Sequence, residues 1–427
     1  MSDVINDRKL AAELTYLILE DGEFENLVID SMQMKYAYLP ESDRNFIVRL
    51  VKGTVEKKIE LDFYINALSK TKVRKMKKWV RTILRNAVYQ IKFMDKSTDY
   101  AVVNESVKLV KAFGYPQFRG FVNGILRNYI RQIDEIKPDT LETEYSMPKW
   151  IIDSFEAELG QETTIEVLKA FQKLSPVTIR LNTFKGDPQD ILAELHEEGF
   201  ETTEIDSKFN IYSLNNTSSL SKSRALAEGK FYIQDYSSMC PVIYSGIGDG
   251  MDVIDVCAAP GGKSIMAAEL TKSGSVTACD ISESKVSIIR DNASRMGITN
   301  LTAVVSDATK FNPEFEGKFD VAILDLPCSG LGVLGRKADM KYRVEQADLE
   351  ALAALQREII DNVKRYVRAG GRIVFSTCTI DKLENQDNKD YILKTMPNMS
   401  LVFEKQILPQ EYGSDGFYIA VFEDKGI

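Results

Sequence analysis

Two cysteines stand where apolar runs end. FDVAILDLP leads into Asp325-Leu326-Pro327-Cys328-Ser329-Gly330, and GRIVFSTC leads into Ser376-Thr377-Cys378-Thr379, so both thiols are expected at adjacent strand tips. A lone cysteine in a strand is most often an inert core residue. Two at strand tips, one behind Asp-x-Pro, point to covalent chemistry instead. A thiolate is the side chain best suited to add to carbon 6 of a cytosine, which turns the ring into an enamine whose carbon 5 accepts a methyl cation equivalent. The thiol must then ionise below its ordinary value of about 8.5, and Lys263, Arg336 or a sulfonium ligand are candidate cations for that task.

A second set of residues suits a ligand that brings the methyl group. Asp255-Val256-Cys257-Ala258-Ala259-Pro260-Gly261-Gly262-Lys263-Ser264 follows another apolar run, and its small residues let a ligand approach the backbone before a helix begins. A P-loop would need glycine where Cys257 stands, and no GxGxxG is present, so a ligand without a pyrophosphate is expected. Asp280 ends the next strand pattern, 25 residues after Asp255, near the spacing at which an acid meets a ribose hydroxyl. Asp307 ends the third, in VVSDATK. Two carboxylates at successive strand tips can hold ribose hydroxyls and an exocyclic amine, and they tolerate a sulfonium. Singly, each is as well explained as a helix N-cap.

These residues need a scaffold that gathers strand tips. From about residue 230, strand patterns (MDVIDVCAA, SVTACD, LTAVVSD, FDVAILDLP, GRIVFSTC, FYIAVFE) alternate with helical ones (KSIMAAELTK, SESKVSIIRDNASRMG, ADLEALAALQREIIDNVKRYVRAGG). That alternation marks a parallel sheet with crossover helices, an α/β fold that binds ligands beyond the carboxyl ends of its strands. Residues 145 to about 225 read as a small α+β unit: SPVTIRLNTF and NIYSL as strands, DPQDILAELHEEGF as a helix. Residues 5 to about 132 repeat apolar positions at helical spacing, and the polar IDEIKPDTLETEYSMP reads as a linker. The expected domains are an all-α domain over 1–133, an α+β domain over 145–225 and the α/β domain over 226–427.

Composition removes other classes. The single histidine, His196, reads as a solvated helix residue, which excludes Ser-His-Asp hydrolases and His-ligated metal sites. Five cysteines without a CxxC pair argue against disulfides and thiolate zinc, so free thiols and no metal are expected. No apolar run is long enough to span a bilayer and the first residues lack a signal sequence, giving a cytoplasmic chain with no membrane partner. The net charge of −9 hides a basic stretch: residues 61–131 hold fifteen Lys and Arg against four Asp and Glu, a local +11 that leaves −20 elsewhere. Phosphate binding by that stretch needs this separation of sign; a solvated helix face is the plainer explanation.

Taken together, these motifs resemble the RNA cytosine-5 methyltransferases, in particular the RsmB (Sun/Fmu) type, over almost the whole chain. FYIQDYSSM, SPVTIRLN, LENQ and DGFYIA are similar to its lesser motifs, and DRNFIVRLVKGTV, NESVKLVKAFG and FVNGILRN resemble a NusB-like RNA-binding helical domain. The resemblance implies a Rossmann-like class I methyltransferase domain behind an all-α NusB-like domain and a small RRM-like α+β domain, acting on 16S ribosomal RNA as a monomer. It implies S-adenosylmethionine as cofactor, held by Cys257, Ala258, Ala259, Pro260, Gly261, Gly262, Lys263, Asp280, Asp307 and Asp325. It further implies Cys378 as nucleophile, Cys328 as the thiol that helps release product, and Asp325 as a hydrogen-bond partner of the cytosine edge. Leu326, Met147 and Ala338 depart from the family pattern at positions that bear on substrate placement. The competing readings are a non-enzymatic RNA-binding scaffold and a methyltransferase for another acceptor. For DNA cytosine the nucleophile would be Cys328, and an amine acceptor usually shows Asp-Pro-Pro-aromatic instead of Asp325-Leu326-Pro327-Cys328.

Overall fold

A computed structural model describes residues 6–94 and 98–426. Asp95 and Lys96, two of the charges counted in the basic stretch, lie outside the described residues. The chain divides into two compact units, residues 1–157 with 337–343, and residues 158–336 with 344–427.

The first unit is helical. Among the described residues, seven α-helices run between Asp7 and Gln132. The helical spacing that runs from Asp43 to Leu68 is divided at Lys57 into the helices Glu41–Glu56 and Lys58–Leu68. Lys78–Phe93 is the most enclosed helix, burying Val80, Ile83, Leu84, Ala87 and Val88 in the unit's core. It also buries a charge: Arg85 forks onto Asp62 at 2.7 and 2.8 Å and reaches Glu20 at 3.1 Å, while Arg81 pairs with Glu20. These two cations are therefore structural and unavailable to a phosphate. Lys70, Lys72, Arg74, Lys75 and Lys77 remain exposed together around the short turn Val73–Lys75. The stretch expected as a linker is packed instead: Leu141–Glu144 forms a helical turn under a Thr140–Thr143 capping box, Tyr145, Ser146 and Met147 are buried, and Ser146 Oγ accepts from Ile59 N at 3.0 Å.

Residues Lys337–Arg343, far along the sequence, complete this unit. Asp339 accepts from Glu25 N at 3.2 Å and from Arg343 Nε at 2.9 Å, and Arg343 reaches Gly22 O at 2.7 Å. Lys341 is 2% exposed and donates to Glu56 O at 2.8 Å. Burial lowers its pKa to about 7. Between that value and the ordinary lysine range the unfolded chain holds a proton the folded chain has released, so stability climbs as pH rises from 7 to 10. Lys341→Met is expected to flatten that rise, by on the order of 3 kcal/mol across the window. Urea unfolding of both proteins at pH 7 and pH 10 measures it, and equal slopes would refute it.

The second unit holds two sheets. In the smaller, β1 (Val177–Leu181), β2 (Glu201–Asp206), β3 (Ile211–Asn215) and β4 (Phe231–Ile233) run antiparallel in the order β2-β3-β1-β4. β2 escapes the sequence reading because ETTEID is polar and largely exposed. His196, on the helix Pro188–Glu197, is exposed and meets Thr202 Oγ1 at 3.0 Å.

The larger sheet comprises β5 (Asp252–Asp255), β6 (Ser275–Asp280), β7 (Leu301–Val305), β8 (Phe319–Asp325), β9 (Val367–Thr377), β10 (Met399–Ile407) and β11 (Phe417–Asp424), in the order β10-β11-β9-β8-β5-β6-β7. β5 to β9 are parallel, while β11 runs against β9 and β10 against β11. Alternate residues feed two cores, as a sheet covered on both faces requires. Val253, Val321 and Val374 face the helices 236–244 and 262–271, whereas Ile254, Ala322 and Ile373 face the helices 346–363 and 386–395. The helix expected to continue to Gly371 stops at Val363, and β9 begins at Val367.

Candidate active site

Strand order reverses between β5 and β8: β6 and β7 continue to one side, β9 and β11 to the other. At such a reversal the loops leaving two neighbouring strands diverge and open a crevice beyond their carboxyl ends. A cleft of ≈ 320 Å³ lies there, and Cys257, Ala259, Asp280, Asp307, Asp325, Cys328 and Cys378 all line it. Of the remaining expected residues, Ala258, Gly261, Gly262 and Lys263 are buried and Pro260 is exposed; none of these five lines the cleft. Gly261 has φ +105°, a conformation that only glycine adopts without strain, at the start of the helix Gly262–Thr271.

The two thiols meet. Cys328 Sγ and Cys378 Sγ are 3.2 Å apart, each at the end of its strand and each half-buried. The Cys378 sulfur beside it, then burial, then Glu384, push the Cys328 thiol well above the ordinary range, so Cys328 keeps its proton. The same direction holds elsewhere: burial pushes Cys240 and Cys279 up to about 12 and raises Cys257.

The acids are set apart by their partners. Asp280 is 4% exposed and accepts from Ala259 N at 3.1 Å and Ile281 N at 2.8 Å, which ties the loop after β5 to the tip of β6. Asp307 stays open to the cleft, held below the usual carboxylate range by the Thr309 hydroxyl and then Lys310. Asp325 accepts from Lys263 Nζ at 2.6 Å and Ser376 Oγ at 3.0 Å, joining β8 to β9 beneath the thiols. Asp255 is buried against Ser264, and burial raises its pKa to about 7. Lys263 and Arg336, expected to favour a thiolate, already have anions: Asp325 for the first, Asp235 and Asp415 for the second. Neither charge is free to act on a sulfur alone.

The family described as 16S rRNA methyltransferase RsmB/F matches residues 247–423, the NusB family residues 5–131, and the RsmF/B-like ferredoxin-like domain residues 147–209. The probable ribosomal RNA small subunit methyltransferase B of Bacillus subtilis is 33% identical, over 98% of this chain and 99% of its own length. The chain belongs to the ribosomal RNA small subunit methyltransferase B family. The Proteus mirabilis member is 26% identical, with both chains covered in full. The crystal structure of PH0851 superposes with a TM-score of 0.82 at 25% identity, over 98% of this chain and 99% of that one. A methyltransferase homologue from Pyrococcus horikoshii shares the fold over 66% of this chain and 97% of its own, with a TM-score of 0.59 at 24% identity.

As a member of the methyltransferase B family, the chain is an S-adenosylmethionine-dependent RNA methyltransferase. The cleft suits that cofactor chemically, with Asp280 and Asp307 on one side and Ile281, Leu355 and Ile359 supplying apolar surface. Ile281 is 62% exposed, directly after the acid that ends β6. Sequence reasoning missed the three apolar residues, because nothing in their spacing separates them from core. It also missed the polar residues behind the thiols, among which Glu384 and Gln356 are fully buried; LENQ contains the first of them, and nothing in the sequence marked the second.

Proposed function

We propose that this chain methylates carbon 5 of a cytosine in 16S ribosomal RNA, with Cys378 as nucleophile. The observation that carries the reading is the pair of thiols 3.2 Å apart in the same cleft as Asp280 and Asp307. A methyltransferase for an amine acceptor needs no thiol, let alone two in contact.

S-adenosylmethionine, when bound, supplies an electrophilic methyl group. Of the loop Cys257 to Lys263, Cys257 and Ala259 face the cofactor in the cleft, Asp280 and Asp307 take the ribose hydroxyls and the exocyclic amine, and Asp325 stands between the cofactor and the base. Cys378 adds as a thiolate to carbon 6, and the ring's electron pair moves to carbon 5, which takes the methyl group. Asp325 hydrogen-bonds the cytosine edge and favours the electrophilic, protonated ring. The carbon 5 proton then leaves to a base, the double bond re-forms and Cys378 departs, a step that Cys328 assists. The cations exposed around Val73–Lys75 support phosphate binding by the helical unit.

The test is methyl transfer from tritiated cofactor to small-subunit RNA from a strain lacking this gene, followed by nucleoside analysis. Label in 5-methylcytidine is expected; label in any other nucleoside overturns the reading. Transfer at limiting RNA should fall at least tenfold between about 50 and 200 mM salt, because each neutralised phosphate releases counterions.

A further inference from the structure

Two consecutive buried residues grip the two cysteines from behind. Glu384 accepts from Ser329 N at 2.9 and 3.3 Å. Gln356 Nε2 donates both to Glu384 Oε2 and to Pro327 O, each at 2.9 Å, so the residues on either side of Cys328 are fixed to one carboxylate and its amide partner. Asn385 does the same for Cys378: it accepts from Thr377 Oγ1 and donates to Thr379 O at 3.1 Å. Ser329 Oγ and Thr379 Oγ1 close the link between the turns at 2.8 Å. Glu384, Gln356, Asn385 and Thr379 are all 0% exposed.

We propose that Glu384 is a positioning residue for the release step, holding the Pro327-Cys328-Ser329 turn so that the Cys328 sulfur stays in contact with Cys378. The inference rests on the two-thiol reading above and assigns a function to a residue that touches neither substrate nor cofactor. A buried carboxylate without a cation costs several kcal/mol unless its hydrogen bonds are complete. An amide or apolar side chain would brace the fold without that cost. What the carboxylate adds is a second acceptor oxygen on Ser329 N, together with a negative charge behind Cys328 that opposes loss of its proton.

Glu384→Gln keeps the shape and, with its oxygen in the Oε2 position, the bonds from Ser329 N and Gln356 Nε2, but it removes the charge and puts a buried amide nitrogen in the Oε1 position, facing Ser329 N. Leaving a buried donor without an acceptor corresponds to about tenfold to a hundredfold. Multiple turnover by Glu384→Gln should fall by that factor, single-turnover methyl transfer by no more than about threefold, and a denaturant-resistant protein–RNA adduct should accumulate. The exchange Glu384→Gln with Gln356→Glu returns a buried negative charge to the cluster and gives the new amide nitrogen an acceptor, at the expense of the Pro327 carbonyl's bond, and should recover part of the turnover and reduce the adduct. Cys328→Ala run beside them separates the two ideas. If Cys328→Ala traps adduct while Glu384→Gln loses single and multiple turnover equally without adduct, or if the exchange recovers nothing, this assignment fails alone. If Cys328→Ala traps none although the unaltered enzyme methylates, the two-thiol reading fails and this inference with it.

Discussion

Cys378→Ala is expected to leave no detectable transfer to RNA, a loss on the order of 10³-fold or more, because without the sulfur carbon 5 never becomes nucleophilic. The loss should be confined to chemistry. Among the described residues the Cys378 sulfur hydrogen-bonds only Cys328, its backbone carbonyl accepts from Gly332 N at 3.0 Å whatever the side chain, and the strand that carries it is fixed by Thr377 and Asn385, so folding and cofactor affinity should persist. Equilibrium dialysis with the cofactor and an RNA gel after denaturation report the two properties separately. A Cys378→Ala protein that labels RNA at the normal rate would remove the nucleophile from this proposal.

Cys328→Ala should behave in the opposite way. Attack and methyl transfer proceed, the step that frees Cys378 slows, and protein accumulates on RNA as a band that survives denaturant, with turnover down by about a hundredfold or more. The contrast follows from the geometry. Cys378, burial and Glu384 all raise the Cys328 pKa, and its sulfur lies 3.2 Å from that of Cys378, so it is well placed to act once the adduct exists. An adduct formed by Cys378→Ala and absent from Cys328→Ala would exchange the two roles, the arrangement expected of an enzyme for DNA cytosine.

The strand tips were legible in the sequence because β5, β8 and the last five residues of β9 are largely covered and mostly apolar, and β6 is buried over its last three residues, so a polar or reactive residue at the end of each stands out. Asp280, Asp325, Cys328 and Cys378 were found in this way, and the structure brings them to one cleft. β2 and β10 were not legible: ETTEID and MSLVFEKQI lie at sheet edges, the first largely exposed and the second mostly half-buried, and carry no clean alternation. Counting charge located a basic stretch but could not show that Arg81 and Arg85 turn inward onto Glu20 and Asp62. Glu384 sits in an irregular loop after β9 and gains its meaning from Ser329 and Gln356, which are distant in sequence. No local pattern encodes such a contact.

Lys337–Arg343 have a consequence for how the chain is made. They fill the helical unit through Asp339, Lys341 and Arg343, yet they leave the ribosome only after β1 to β8 have been synthesised. The first domain to emerge is therefore completed only after the smaller sheet and four strands of the larger one: until that segment arrives, Glu25 N and Glu56 O lack partners they have in the finished protein. A nascent chain that ends before residue 337 carries the helical unit without the segment that closes it.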